Sequence, residues 1–240
     1  LGVTKAARIY YEVQTNLLTS GSDYADLYNV LYQACLTLIG TVGITSGDCQ
    51  QVRNATLAVE MNLQPAANYN PDAEICPTGQ IPSNLFYNTF ESGFAGWSLA
   101  AIAGGNHWTI SDSLYGPNAH SGVKSLYADD GFASSNSAAA MVTGVTLPAN
   151  AFLHFHHSYD LERTFDAGLI EYSSNGGPWV NGGSLINSGK TYDGVVPRPP
   201  GLGIASFNGA SHGYVSTRLN LSSLAGQNVR FRWRLDTDNS

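Results

Sequence analysis

The stretch HFHHSYDLE, His154 to Glu162, sets three histidines beside an aspartate and a glutamate within nine residues, side chains of the kinds that ligate metals. Spacing decides what they can do. The run AFLHFHHSYD alternates at period two, the pattern of a strand. Phe152, His154, His156 and Ser158 then point to one face, and Leu153, Phe155, His157 and Tyr159 to the other. His154 and His156 become neighbours, but two histidines do not complete a zinc shell, which takes three or four protein ligands. A hydrolytic zinc helix would read HExxH, and that motif occurs nowhere in the chain. The histidines are expected to decorate a strand and to hold no catalytic metal.

Other side chains offer other chemistry. Glu91, with Asp129 or Asp130, presents hard oxygens suited to structural calcium, which takes six to eight of them; Glu91 and Asp130 are the candidate ligands, and solvated turn acids are the competing reading. Asp160, Glu162 and Asp166 crowd one predicted loop, as further calcium ligands or as charges guarding a sheet edge. Glu91 and Glu171 would make a glycosidase pair only if a glycosidic bond fitted between them, and nothing in the spacing brings them together. No Gly-x-Ser-x-Gly elbow is present. Trp179, in the turn NGGPWVNGG, is the candidate for stacking on a ligand, whereas Trp97 is expected in the core.

Charged residues are only 12% of the chain and the formal net charge is −7, against the basic stripe that nucleic-acid binding requires. With 13 Tyr, 26 Gly and few Lys, the composition suits a secreted, turn-rich protein. No apolar run is long enough for a membrane span. No basic start leads into an apolar segment, so no signal peptide is read, and the chain is expected to begin inside a longer precursor.

The elements that must position these residues fall into two halves. Over residues 1–64 the periodicity is helical. Val3, Ala6, Ala7, Tyr10, Val13 and Leu17 form one stripe, broken at Ser20, Gly21 and Ser22. Ser22 is the expected N-cap of a second helix, with Asp23 and Asp26 in its first turn. That helix turns Tyr24, Leu27, Leu31, Ala34 and Leu38 inward, and a third, CQQVRNATLAVEMNL, buries Val52, Ala55 and Val59. Residues 65–84 carry four prolines and no period, and read as a linker. From Leu85 short alternating runs recur between Gly, Asn and Ser turns: LFYNTFE, HWTIS, KSLYA, AAMVTGV, FLHFHHSY, GLIEYSS, GYVSTRLNL and NVRFRWRL. These predict an antiparallel β-sandwich or jelly roll over 85–240. In the last run Val229, Phe231, Trp233 and Leu235 face inward and Arg230, Arg232 and Arg234 outward. A sandwich ending there would leave an edge unpaired, so truncation at the C-terminus is expected.

Cys35 and Cys49 sit at helix ends that an antiparallel pair brings together, which predicts a disulfide; two buried free thiols are the alternative. Cys76 is then left over, its partner expected elsewhere.

The helical stretch, with AARIYY at Ala6 to Tyr11, the turn at Leu18 to Asp26 and the Val-x-x-Ala of Val52 to Ala55, resembles the end of the catalytic unit of thermolysin-like (bacillolysin) neutral metallopeptidases. The resemblance implies a secreted zinc endopeptidase whose zinc ligands and catalytic residues precede this segment, so that no catalytic residue falls here and the segment alone is inactive. Zinc would belong to the full-length parent, and a protein or peptide would be its substrate. FESGFAGW (Phe90 to Trp97), HSGVKSLYADD (His120 to Asp130), the pair HFHHSYDLE and DAGLIEYSSNGG, and LAGQNVRFRWRLDTD (Leu224 to Asp238) are similar to the MAM-like and immune-inhibitor-A-type jelly-roll modules appended to secreted bacterial peptidases. The fold implied is α then β: the three-helix end of a peptidase domain, a linker, and an accessory sandwich binding substrate, cell surface or calcium. The alternative is a non-catalytic adhesion or carbohydrate-binding module on a helical stalk.

Overall fold

The computed structural model describes residues 1–19, 21–63, 72–111, 119–131, 133–197 and 203–239. Ser20 and the first part of the predicted linker, 65–71, lie outside them. The architecture is α then β, and the described residues divide into a helical unit, 1–63 with 119–121, and a β unit, 72–111 with 122–239.

In the helical unit α1 (Val3–Glu12) passes into a π-helical turn, Val13–Leu17; α2 spans Tyr24–Thr37 and α3 Ser46–Ala58. Two capping boxes start the later helices. Asp23, not Ser22, caps α2: its carboxylate accepts from the amides of Ala25 and Asp26, and Asp26 answers by accepting from Asp23 N–H. Thr45 and Asp48 repeat the device on α3, which therefore begins ahead of Cys49. Lys5 reaches Asp48 at 2.8 Å. The hydrogen bond from the Lys5 ammonium, and then those from the Thr45 hydroxyl and amide, hold the Asp48 carboxyl down to about 2. The core is Ile9, Val13, Leu31, Ala34, Cys35, Leu38, Ile44, Cys49 and Val52. Val3, Tyr10, Tyr24, Ala55 and Val59, expected inward, are exposed instead. The core is narrower than the periodicity implies because one residue per turn, Ile9 of α1 and then Val13 of the π-helical turn, is fully buried there.

The β unit contains strands β1 (Trp97–Ala103), β2 (Trp108–Ile110), β3 (Leu126–Ala128), β4 (Ser135–Met141), β5 (Val145–Thr146), β6 (Phe152–His157), β7 (Asp160–Leu161), β8 (Ala167–Ser174), β9 (Val180–Asn181), β10 (Ile186–Gly189), β11 (Gly194–Val196), β12 (Ile204–Ser206), β13 (Gly209–Ala210), β14 (Val215–Asn220) and β15 (Asn228–Thr237). The main sheet runs β1-β4-β15-β8-β9, with β5 also on β15, and a second sheet runs β10-β14-β6. All strand pairs within these two sheets are antiparallel. Facing residues of the two sheets enclose one apolar core, with Trp97, Met141, Ile170, Val229 and Phe231 from the main sheet and Leu219, Leu153 and Phe155 from the second.

Two expectations are corrected here. The run LFYNTFE is irregular, with Phe90 at φ 61°, and the strand lies further on at Trp97–Ala103. The last strand is no edge: β15 lies between β4 and β8, paired on both sides. Its arginines face outward and its apolar residues inward, as the alternation required.

The described part of the proline-rich stretch belongs to the β unit. Ala73 is buried, its N–H donates to Ser216 Oγ (2.6 Å), and its carbonyl accepts from His154 Nε2 (2.8 Å). Arg218 Nη1 donates to Glu74 O at 2.9 Å. Gly189, at φ +76°, permits this approach, since a Cβ there would stand 2.2 Å from Ser216 O and 2.8 Å from Ala73 Cβ.

Candidate functional site

The alternation of β15 and β8 places Arg232 opposite Glu171, Arg230 opposite Ser173 and Arg234 opposite Leu169. On this outer face Glu171 is 5% exposed and lies between two guanidiniums: Arg232 Nε donates to Oε2, and Arg234 Nη1 to Oε1 at 2.9 Å. Arg234 also donates to Asp236 (2.9 Å) and Asn136 (3.0 Å), so its fork is fully used. Arg230 makes no ion pair among the described residues. Its guanidinium instead lies 5.4 Å from the centre of the Trp179 ring, and that of Arg232 lies 4.6 Å from it. The turn before Trp179 is held by Ser173 Oγ donating to Gly177 O (2.7 Å), with Asn175 at φ 51°. A half-buried indole flanked by cations is a platform for a ring or a carboxylate-bearing ligand.

Beyond Glu171 the outer face is closed. Val196 of β11, with Ile204 of β12 against it, packs on Ala167 and Leu169 of β8. Small side chains, Ala138 and Ala140, flank the arginines on the other side through their pairing with Arg234 and Arg232.

The predicted metal residues do not meet in one group. Glu91 Oε1 accepts from the amides of Val123 and Lys124, both at 2.9 Å, and those two bonds hold its carboxyl below the usual range. Asp130 is exposed in the loop after β3. Among the described residues no group of three His, Cys, Asp or Glu side chains stands at joint metal-binding distance. Glu171, engaged by two arginines, is in no position to share a glycosidic bond with Glu91 as a free acid.

The three histidines divide as the strand period predicts. His154 and His156 share the outer face of β6, ring centres 5.0 Å apart, while His157 turns inward. Its Nε2 lies 2.8 Å from Thr217 Oγ1, whose hydroxyl donates to Lys190 O, so the imidazole is the donor. Burial first, then the charges of His156 and Lys190, push it down to about 3. Beside it Asp193 accepts from Tyr159 OH and from Lys190 Nζ, both at 2.7 Å. Burial and Asp193 push the Tyr159 phenol up, and burial does the same to Tyr192. No local pattern points to this network, because its members come from β6, the segment after it, the β10–β11 connection and β14.

Cys35 and Cys49 form the predicted disulfide, Cα atoms 5.4 Å apart, and Cys76 is a free thiol. Trp97 is 7% exposed in the core, as expected. No helix among the described residues is long and apolar enough to cross a membrane. No protein-family model matches the chain, and no curated protein matches it at a significant level.

Proposed function

We propose that the chain is the C-terminal portion of a secreted zinc-dependent metalloendopeptidase of the thermolysin-like kind, its sandwich an accessory module for substrate, cell surface or calcium. The observation that carries this reading is the apolar surface left open on the helical unit. Val3 is 87% exposed, Tyr24 73%, Val59 67%, Tyr11 62% and Leu63 59%. A self-sufficient domain rarely shows so many large apolar side chains around so few buried ones. The closing helices of a larger catalytic domain would turn them toward that domain. The resemblance of Ala6 to Tyr11, Leu18 to Asp26 and Val52 to Ala55 to the peptidase ending supports the same reading, and a disulfide suits an oxidising compartment. Zinc, held by residues outside this chain, would activate water for peptide hydrolysis in the parent.

Casein hydrolysis tests it. The chain from Leu1 to Ser240 is expected to show none with or without zinc, and the same chain extended to its own start codon to show chelator-sensitive hydrolysis. Robust hydrolysis by the short chain would overturn the assignment.

A second reading, a carbohydrate-binding or adhesion module, draws on Trp179 over Arg230 and Arg232. Glycan-array binding that Trp179→Ala abolishes without changing the melting temperature would favour it.

A further inference from the structure

We propose that Trp179 and Arg230 bind an acidic saccharide on the outer face of the main sheet, the indole stacking on a uronate ring and the Arg230 guanidinium gripping the carboxylate of that ring. The inference rests on the carbohydrate-binding reading above and names the class of sugar.

Two of the three outward arginines of β15 are matched to acids. Arg232 is held by Glu171, and Arg234 by Glu171 and Asp236. Arg230 is placed where no acid reaches it. Opposite it on β8 stands Ser173, whose hydroxyl is turned away to donate to Gly177 O at 2.7 Å. On the other side the β4–β15 pairing begins only at Arg232. Arg230 therefore makes no ion pair or hydrogen bond among the described residues, and its planar fork of N–H donors is left for a ligand. In a chain of net charge −7 this is a local cationic exception, so an anion is drawn to this point of the surface.

The indole beside it is fixed before any ligand arrives. Asn175 N–H donates to Asn228 O at 2.7 Å, and Asn228 N–H donates to Asn175 Oδ1 at 2.9 Å, which clamps the turn to the start of β15. Val180, the next residue after Trp179, pairs with Tyr172 of β8. Arg232, already anchored on Glu171, stands 4.6 Å from the ring centre, and Arg230 stands 5.4 Å from it. The ring is half-buried, so part of its surface stays open. A platform held in this way costs little ordering entropy when a ligand docks.

The surroundings select an acidic sugar over an acidic peptide. An aspartate or glutamate side chain would satisfy Arg230 and leave the indole idle, whereas a uronate carries a stacking face and a carboxylate on one rigid ring. A peptide cannot add here as a strand, because β15 is paired on both sides and lies inside the sheet. The surface next to the site is also open. Ala140 and Ser98 continue the row from Arg232, and Ala138 and Ala100 the row from Arg234, so only small side chains floor the sheet from β15 across β4 to β1. That strip is about 10 Å wide at ordinary strand spacing, room for sugar units on either side of the bound ring.

The test is calorimetric titration of the full chain with tetramers of galacturonate, glucuronate and mannuronate, each beside its methyl ester, and with a neutral glucose tetramer. At least one acid is expected to bind, with its ester, which keeps the ring and loses the charge, about tenfold weaker or more. Trp179→Ala and Arg230→Gln each weaken the acid about tenfold or more, and Arg230→Lys, which keeps the charge without the fork, recovers only part of the loss. Arg230 leaves no buried partner behind, so its variants keep the wild-type melting temperature and carry the test should Trp179→Ala fail to fold. Equal affinity for acid, ester and glucose, lost in Trp179→Ala, overturns the proposal and leaves the carbohydrate reading standing. Absence of binding to every sugar overturns both. Polyglutamate that displaces the acid, and whose binding is lost in Arg230→Gln but kept in Trp179→Ala, overturns the proposal in favour of a carboxylate site without sugar.

Discussion

The helical unit and the β unit solve the same problem with different means. The sandwich closes its core with aromatic rings packed from both sheets, Trp97 against Trp233 at 5.3 Å and Phe155 against Trp233 at 5.3 Å, and orders its outer face with arginine pairs. The helical unit gathers few buried side chains, braces them with one disulfide and two capping boxes, and leaves large apolar residues in solvent. The difference teaches that the sandwich holds its own stability, while the helical unit depends on covalent and capping devices. All four tryptophans lie at position 97 or beyond, within the β unit, so tryptophan fluorescence reports that unit and helical ellipticity reports the other.

The largest expected effect sharpens the comparison from the β side. Phe231→Ala should destabilise the sandwich by about 4 kcal/mol, as large-to-small changes of a buried aromatic do, and shift the fluorescence-detected urea midpoint while the helical signal moves little. Next is the disulfide. The Cys35–Cys49 bridge spans 14 residues, and Cys35→Ala with Cys49→Ala should cost the helical unit about 3 kcal/mol, seen as early loss of ellipticity at 222 nm with the fluorescence transition unmoved. If both signals shifted together, the division of labour between the units would be wrong.

Acid should then strike the two units over different ranges. His157 is held neutral in the fold, down to about 3, so its contribution is whole above about pH 6.5 and is lost as pH falls from there toward 3. At pH 5 the loss is about 2 kcal/mol, and His157→Gln should flatten the fluorescence-detected pH profile of stability. Asp48 has the opposite sign of dependence. Its lowered carboxyl stabilises the fold above about pH 4, and that contribution disappears as pH falls through about 2. Lys5→Met should therefore lower the helical melting temperature slightly at pH 7 and leave it unchanged below pH 2. This is the smallest effect, because the pair is near the surface and screened by salt.

What was legible in the residues follows the strength of local pattern. The inward and outward alternation of Val229 to Leu235 and the split of His154 and His156 from His157 are period-two signals, and both hold. The disulfide was readable because helix ends with short connections restrict where two cysteines can lie. The strand Trp97–Ala103 was missed because its run of alanines carries no polar alternation. The central position of β15 was missed because strand order is set by long-range pairing, to which no local pattern refers. At the sites, the row of arginines was visible but its partners were not, since Glu171 lies 61 residues from Arg232. The network around Asp193 likewise depends on register between distant strands.

The most direct measurement for the central claim is the coding sequence upstream of Leu1. The account predicts an in-frame HExxH followed by a downstream glutamate, which would make this chain the closing helices and accessory module of a zinc peptidase. A start codon and secretion signal immediately before Leu1 would contradict it, and the binding surface around Trp179 would then be the function to pursue.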